Sequence, residues 1–453
     1  MSREPDDLDP KVYRREGVVD KAHYLGQAFA DAEAAYLWPR VWQVACREEE
    51  IPAAGNYIAY DIVDDSIIVT RGQDGEIRAF HNVCPHRGRR LVGRSGTARE
   101  FVCGYHGWRW NLDGSNSKVV DRHDWQGCIS DEEIGLQAVK VATWGGFVFI
   151  NMDADCEPLE TFLAPVIERC DGFEFENLRF RWYRSVEFPT NWKVMLEGFT
   201  EAYHVQQTHP QFLEFLEDYS NSGAFGPHSA FWYPPLPDGR SRFTVSSRLS
   251  KPADPDTRKY VLAYQKEMHE ELGAMVTPRT YEAAQRLLTE VPDGAPSGEV
   301  LAKLREFQIA AAVEDGAGWP KIDAEYIMRS FQDWHVFPNL VYLHSSVDGV
   351  LCYRARPNGR DPDKCIFDVW SLVRYAPGKE PRLKREYYSD YREVKWGRVL
   401  EQDFANLKEV QRGMKSRAFK GALTNPVQEK AVSNFHRALR EFMSEGEGGG
   451  SCA

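Results

Sequence analysis

Two short cysteine–histidine pairs, Cys84-Pro85-His86 and Cys103-Gly104-Tyr105-His106, constrain this chain more than anything else in its 453 residues. Sixteen residues separate His86 from Cys103, which puts the pairs at the tips of two neighbouring loops. Two thiolates and two imidazoles can hold metal in two ways. All four can bind one tetrahedral zinc ion. Alternatively, a two-iron, two-sulfide cluster takes both thiolates on one iron and both imidazoles on the other. The flanking residues favour the cluster. Pro85 and Gly88 beside the first pair, and Gly104 and Gly107 beside the second, permit tight turns and close backbone approach to bridging sulfides. Paired metal-ligand spacings rarely recur by chance.

A chain this long exceeds what one hydrophobic core serves, so two domains are expected. Hydrophobic residues at 42% and charged residues at 27% are ordinary for a soluble globular protein, and aromatics at 13% are enough to line an apolar pocket. The net charge of −12 argues against nucleic-acid or anionic-membrane partners. A polar start and no run of about 18 apolar residues predict a cytoplasmic protein without membrane association. The seven cysteines outside the pairs lack framework spacing and read as reduced thiols, mostly small core residues.

Residues 20–43 carry apolar side chains at helical spacing, and residues 1–40 form an N-terminal helical segment. Short β-rich runs fill 41–160, including a hairpin around Gly72–Gly75, and both pairs fall inside them. From 161 to 443 strands alternate with helices. A strand is predicted over 180–188, a helix over 189–205 entered through Pro189-Thr190, and strands around 341–343 and 366–375. An amphipathic helix is predicted over 388–418. The charged helical stretch 257–315 reads as an insertion, and the Gly- and Glu-rich tail 444–453 as disordered.

On its two boxes the chain resembles the large (alpha) subunits of Rieske non-heme iron oxygenases, the aromatic-ring-hydroxylating dioxygenase family, and the resemblance extends over most of the chain. It implies an α+β fold. An all-β Rieske domain would hold a [2Fe–2S] cluster through Cys84, His86, Cys103 and His106. A catalytic domain with an antiparallel β-sheet flanked by helices would hold a mononuclear Fe(II), with the N-terminal segment packed on it.

A second ligand set can be sought independently. His204 and His209 lie five apart, about 140° around a straight helix, so the helix must end or distort between them if both bind one metal. Pro210 supports an ending close by. Two imidazoles and a carboxylate would leave positions open on Fe(II) for dioxygen and substrate. Alone, His-x4-His is equally ordinary as a pair of surface histidines. The resemblance supplies its context. The family motif of an acid, two residues, His, four residues, His is matched by Glu201, His204 and His209. The family's third ligand aligns with Asp403 in Glu401-Gln402-Asp403, eight residues before Gln411-Arg412-Gly413. Glu401 and Glu409 on the same helix are rivals. At Glu201 the family commonly carries Asp, which bridges an iron-bound histidine to a Rieske histidine of the neighbouring subunit, here His106. A carboxylate that simply orients His204 is the alternative. The resemblance also puts Asn191 close to the iron, and implies a trimeric ring with or without small beta subunits.

Between Arg78 and Arg109 stand seven arginines (Arg78, Arg87, Arg89, Arg90, Arg94, Arg99, Arg109) and one acid, Glu100. Such an island would steer an acidic electron donor to the cluster. No flavin or nicotinamide motif is present, so NAD(P)H electrons would arrive through a separate ferredoxin or flavin reductase. The expected activity is insertion of oxygen from O2 into an aromatic or otherwise apolar substrate, as in aromatic hydrocarbon catabolism, by hydroxylation, dihydroxylation or demethylation. The rival is a non-catalytic Rieske-type electron-transfer or zinc-stabilised binding protein. The long stretch beyond the boxes, with its own ligand set, argues against it.

Overall fold

The computed structural model describes Arg14 and residues 17–344 and 346–448. Two compact units emerge. One comprises residues 30–164 with 358–360 and the chain from 442; the other comprises the chain up to Phe29, 165–357 and 361–441. The helical spacing over 20–43 resolves into two short helices, Ala22–Leu25 and Gln27–Ala32, a wider turn at Glu33–Leu37, and then strand Gln43–Arg47.

The first unit is built on β-structure. Among the described residues its main sheet has seven strands, in the order Gln43–Arg47, Phe147–Asn151, Ala138–Trp144, Ile77–His81, Asp65–Arg71, Asn56–Ile62 and Gly96–Thr97. Neighbouring strands all run antiparallel. The expected hairpin pairs Thr70 with Arg78 across a turn closed by Gly75, whose φ of 88° suits a residue without a Cβ. A small sheet of Phe101–Val102, Arg109–Trp110 and Asn116–Lys118 adjoins a core of Ile68, Phe80, Phe101, Trp108 and Trp110. Cys84 and Cys103 belong to that core.

The second unit carries an eight-stranded sheet, again among the described residues. Its order is Asn221–Phe225, His228–Trp232, Asp333–Val336, Leu340–Leu343, Gly349–Pro357, Cys365–Arg374, Leu178–Phe188 and Arg385–Tyr388. Every pairing is antiparallel except the last, which is parallel. Strand Cys365–Arg374 is covered on both faces, so its sequence, CIFDVWSLVR, is apolar nearly throughout. The exceptions are Asp368, Ser371 and Arg374, and Asp368 is the buried acid. It lies directly opposite Arg354 and meets its guanidinium at 2.7 Å, while the Tyr183 hydroxyl donates to the same carboxylate at 2.8 Å. Burial alone would raise Asp368, but Arg354 and Arg356 hold it at about 2.

Four helices carry or flank the predicted iron ligands of this unit. Helix α1 is Trp192–Glu197, α2 is Val205–Thr208, α3 is Arg398–Met414 and α4 is Lys430–Gly448. The helix expected over 189–205 is therefore broken at Gly198. A Cβ there would sit 2.8 Å from Leu407 Cδ2, so the missing side chain lets α3 approach closely. The helix expected over 388–418 begins only at Arg398, after strand Arg385–Tyr388 and a 3-10 turn at Tyr391–Glu393. Four helices within 257–315 share a core of Val261, Ala284, Leu287 and Val300. Helix α4 continues to Gly448, into the tail for which no structure was expected; residues 449–453 lie outside the described residues.

Replacing Asp368 with Ala leaves Arg354 buried without its partner, and chemical denaturation should show a loss of about 3–5 kcal/mol. Because the folded pKa lies below an unfolded value of about 3.9, the pair's contribution is complete above roughly pH 4 and fades as pH falls through the folded value. An unchanged denaturation midpoint at pH 7 would refute that role.

Candidate metal centres

The two cysteine–histidine loops share one turn geometry. Cys84 N–H donates to Arg89 O at 2.8 Å and Gly88 N–H to Cys84 O at 2.9 Å. In the second loop Cys103 N–H donates to Trp108 O at 2.8 Å and Gly107 N–H to Cys103 O at 2.9 Å. Gly88 and Gly107 take φ of 73° and 74°, the left-handed region in which glycine is unstrained. Asn82 ties down the first loop from within: its amide oxygen accepts the N–H groups of Leu91 and Val92, and its nitrogen donates to Ser66 Oγ and Val92 O. Sequence reasoning missed this residue.

The turns bring the four predicted ligands together. The Cys84 and Cys103 side chains lie in one core cluster, both almost wholly buried. The His86 and His106 rings lie 4.6 Å apart, and Trp108 stacks flat on His86 at 4.8 Å. The Nδ1 atoms of both histidines are buried without a protein partner. Burial raises the Cys84 thiol. Cys103 meets the same penalty but is held below its ordinary value by the N–H groups of Tyr105 and His106 and by Arg89. Buried sulfurs inside and partly exposed imidazoles outside are a donor set that fits a [2Fe–2S] cluster, with the histidine edge toward solvent. Around it, Arg78, Arg90 and Arg109 pair with Asp74, Asp61 and Glu100. Arg87 lies over the exposed Tyr105 ring at 5.2 Å. Arg89, Arg94 and Arg99 are exposed.

The second centre is assembled from two segments. After α1 ends, a turn carries Glu201 and His204; α2 then ends at His209, followed by Pro210. Helix α3 buries Val399, Leu400, Asp403, Phe404, Leu407, Gln411 and Met414 along one face, so Asp403 is a carboxylate on an otherwise largely apolar stripe. Its Oδ1 lies 2.9 Å from His209 Nε2 and 3.6 Å from His204 Nε2, and one ligand atom from each residue falls within 4.8 Å of the others. The rivals point elsewhere: Glu401 is exposed and accepts Trp396 N–H, and Glu409 pairs with Arg412.

Each imidazole is turned by a partner on its far side. Glu201 Oε1 lies 2.6 Å from His204 Nδ1, while Glu201 Oε2 accepts the N–H groups of Tyr203 and His204. Gln402 Oε1 lies 2.9 Å from His209 Nδ1 and also accepts from Gln211. With Nδ1–H donated, both Nε2 lone pairs aim at Asp403, the arrangement a metal requires. Burial opposes a charge on His204, yet Glu201 and Asp403 push it up to about 9. The site strongly favours a cation. Gln402 had no signal in the sequence beyond its place next to Asp403. Asn191 sits elsewhere in this unit. It caps α1 by accepting Lys193 N–H and donates to the carbonyls of Tyr24 and Pro362, and it lines neither cavity at the triad.

Those cavities share Gly198, Glu201, His204 and Asp403. The outer one, about 460 Å³, also shows Glu197 and Glu429. Burial raises these acids to about 8 and about 7. The inner one, about 120 Å³, is walled by Phe199, Phe212, Phe231, Tyr233, Tyr264 and Tyr353. Tyr264, Met268, Leu272 and Met275, from the helical stretch read as an insertion, form part of this wall.

Comparison with known proteins gives the same outline. Residues 175–445 match the ring hydroxylating alpha subunit (catalytic domain) family, and residues 41–126 match the Rieske [2Fe-2S] domain. A glycine betaine monooxygenase oxygenase subunit from Pseudomonas aeruginosa is 32% identical over 200 residues, 44% of this chain and 46% of that protein. A chloroplastic choline monooxygenase from Beta vulgaris is 32% identical over 220 residues, 47% of this chain and 49% of that protein. The chain thus spans about half the length of these curated relatives. A solved quaternary ammonium Rieske monooxygenase, described in terms of carnitine oxidation and inter-subunit electron transfer, superposes with a TM-score of 0.63 to 0.64 at 18% identity, covering 98% of this chain and 100% of its own. The relatives' substrates are quaternary ammonium compounds, so aromatic hydrocarbon catabolism finds no support among them.

Gln402→Leu removes the oxygen that turns His209. It should weaken iron binding about 10- to 100-fold, read by competition with a chelator, and leave the visible spectrum of the cluster unchanged. Unaltered iron affinity would reduce Gln402 to packing.

Proposed function

The chain belongs to the ring-hydroxylating alpha-subunit family, and on that premise we propose that it is the terminal oxygenase of a system acting on a small quaternary ammonium substrate. Cys84, His86, Cys103 and His106 hold the Rieske cluster, and His204, His209 and Asp403 hold the iron. When bound, the cluster supplies single electrons and the iron supplies the site at which dioxygen is reduced. One oxygen atom enters a C–H bond and the other leaves as water, consuming two electrons and two protons. If the C–H bond belongs to an N-methyl group, the hydroxymethyl product breaks down to an amine and formaldehyde.

The observation that carries this reading is the small aromatic cavity on a two-histidine, one-carboxylate triad. At about 120 Å³ it is well below the 300–1,000 Å³ usual for drug-sized ligands. Aromatic faces bind onium groups through the ring quadrupole and exclude water as they do so. Phe212 lies 5.5 Å from the His209 ring, and Phe199 stacks on Tyr353 at 4.1 Å. A trimethylammonium group held there lies beside the triad.

Electrons come from a separate ferredoxin or flavin reductase fed by NAD(P)H, which the exposed arginines around the cluster would receive. Between centres, Glu201 joins His204 of one chain to His106 of a neighbouring copy, which requires a closed head-to-tail ring such as a trimer. Glu201 supports this by lining both cavities while its carboxylate is already committed to His204.

Metal analysis should find about three irons and two acid-labile sulfides per chain; one zinc, or two irons, would return the protein to the binding or electron-transfer class. With a surrogate reductase, glycine betaine, carnitine and choline should be tested beside naphthalene. Oxygen uptake coupled to product is expected from at least one ammonium compound and none from naphthalene. Turnover of naphthalene alone would overturn the substrate class.

A further inference from the structure

We propose that Arg242 forms a carboxylate-binding subsite in the inner cavity, so that the preferred substrate is a zwitterion with its onium end at the triad and its carboxylate on Arg242. This rests on the ammonium reading above and sharpens it. Among the described residues lining that cavity, Arg242 is the one permanent cation. Its main chain is tied to the segment that follows His209: Arg242 O accepts Glu217 N–H at 2.8 Å, and Leu213 O accepts Ser246 N–H at 2.8 Å. The guanidinium carbon stacks 3.4 Å from the centre of the Tyr233 ring, and Nη1 donates to Gln332 Oε1 at 3.2 Å. The Nε–H is buried and meets no acceptor in the protein.

Among the described residues no carboxylate pairs with Arg242, as none pairs with Arg181. Arg258, Arg279 and Arg354 in the same unit are matched by Asp256, Asp348 and Asp368. Burial pulls Arg242 below its usual pKa, and only the phenols of Tyr233 and Tyr264 offset it. The cavity thus offers aromatic faces beside the triad and a stacked guanidinium with free donor capacity. A half-buried guanidinium whose buried Nε–H lacks an acceptor is well matched by a ligand carboxylate. Glycine betaine carries a carboxylate where choline carries a hydroxyl, so Arg242 would separate the two.

Isothermal titration calorimetry of the full-length, metal-loaded protein tests this with three probes: glycine betaine, choline and benzoate. Wild type should bind glycine betaine at least about tenfold more tightly than choline. Arg242→Gln should weaken glycine betaine about 10- to 100-fold, the usual effect of losing a hydrogen bond to a charged group, and change choline less than about threefold. That change of selectivity is a readout a merely structural role would not move. Arg242→Lys, which keeps the charge and loses the fork, should fall between and carries the test if the Gln variant does not fold. Equal binding of betaine and choline by wild type, equal losses in the variant, or no binding of either carboxylate would overturn the subsite. If benzoate alone binds, and does so through Arg242, the subsite stands and the ammonium reading falls. If betaine and choline bind alike whatever occupies position 242, the ammonium reading stands and the subsite falls.

Discussion

The catalytic unit is organised around one demand: the Asp403 carboxylate is buried against two imidazole Nε2 atoms, and that grouping is stable only with a cation in it. A buried carboxylate without compensation carries a penalty of several kcal/mol. Here the compensation is built into three segments. Helix α3 turns Asp403 inward on its buried stripe, Gly198 lets Leu407 bring that helix close, and Glu201 and Gln402 fix the histidine rings from behind. The rise of His204 to about 9 expresses the same demand in protonation terms. The same carboxylates also line the cavity walled by aromatic rings.

How much is legible in the sequence depends on how local the physics is. The Cys84 and Cys103 loops are legible because ligand, Pro and Gly positions lie within one turn, and the structure repeats that turn in both. The pairing of His204 with His209 is legible, and so is a helix ending between them: Val205–Thr208 stops at His209, just before Pro210. The earlier break at Gly198 is not, because Gly198 answers to Leu407, more than two hundred residues away. Asp403 can be separated from Glu401 and Glu409 only by the family resemblance; in the structure the amphipathic stripe makes the choice. The resemblance places Asn191 near the iron, although an Asn just before an apolar helical run is also a capping signal, and a cap is where it sits. Gln402 and Arg242 come from segments whose approach to the site no local pattern encodes.

An aromatic cavity wall is compatible with an aromatic substrate and with an onium group, and the reason is chemical. Aromatic side chains that stack on a flat hydrocarbon also present their negative faces to an onium group. Composition cannot separate the two. The charge in the wall bears on the choice: Arg242, with its unpartnered Nε–H, is a group that a neutral hydrocarbon would leave unmatched.

Glu201 bears the heaviest demand of any residue in the proposed function, where one carboxylate would serve both the orientation of His204 and the passage of electrons from a neighbouring cluster. The most direct measurement is single turnover with Glu201→Gln: the cluster is reduced, the donor removed, and substrate with dioxygen added while cluster absorbance and product are followed. Gln keeps the size and the hydrogen bond but not the charge. Both metals should stay bound, the cluster should reoxidise at least about tenfold more slowly than in wild type, and product should fall in step. Reoxidation and product formation at the wild-type rate would rule out Glu201 as the bridge between centres.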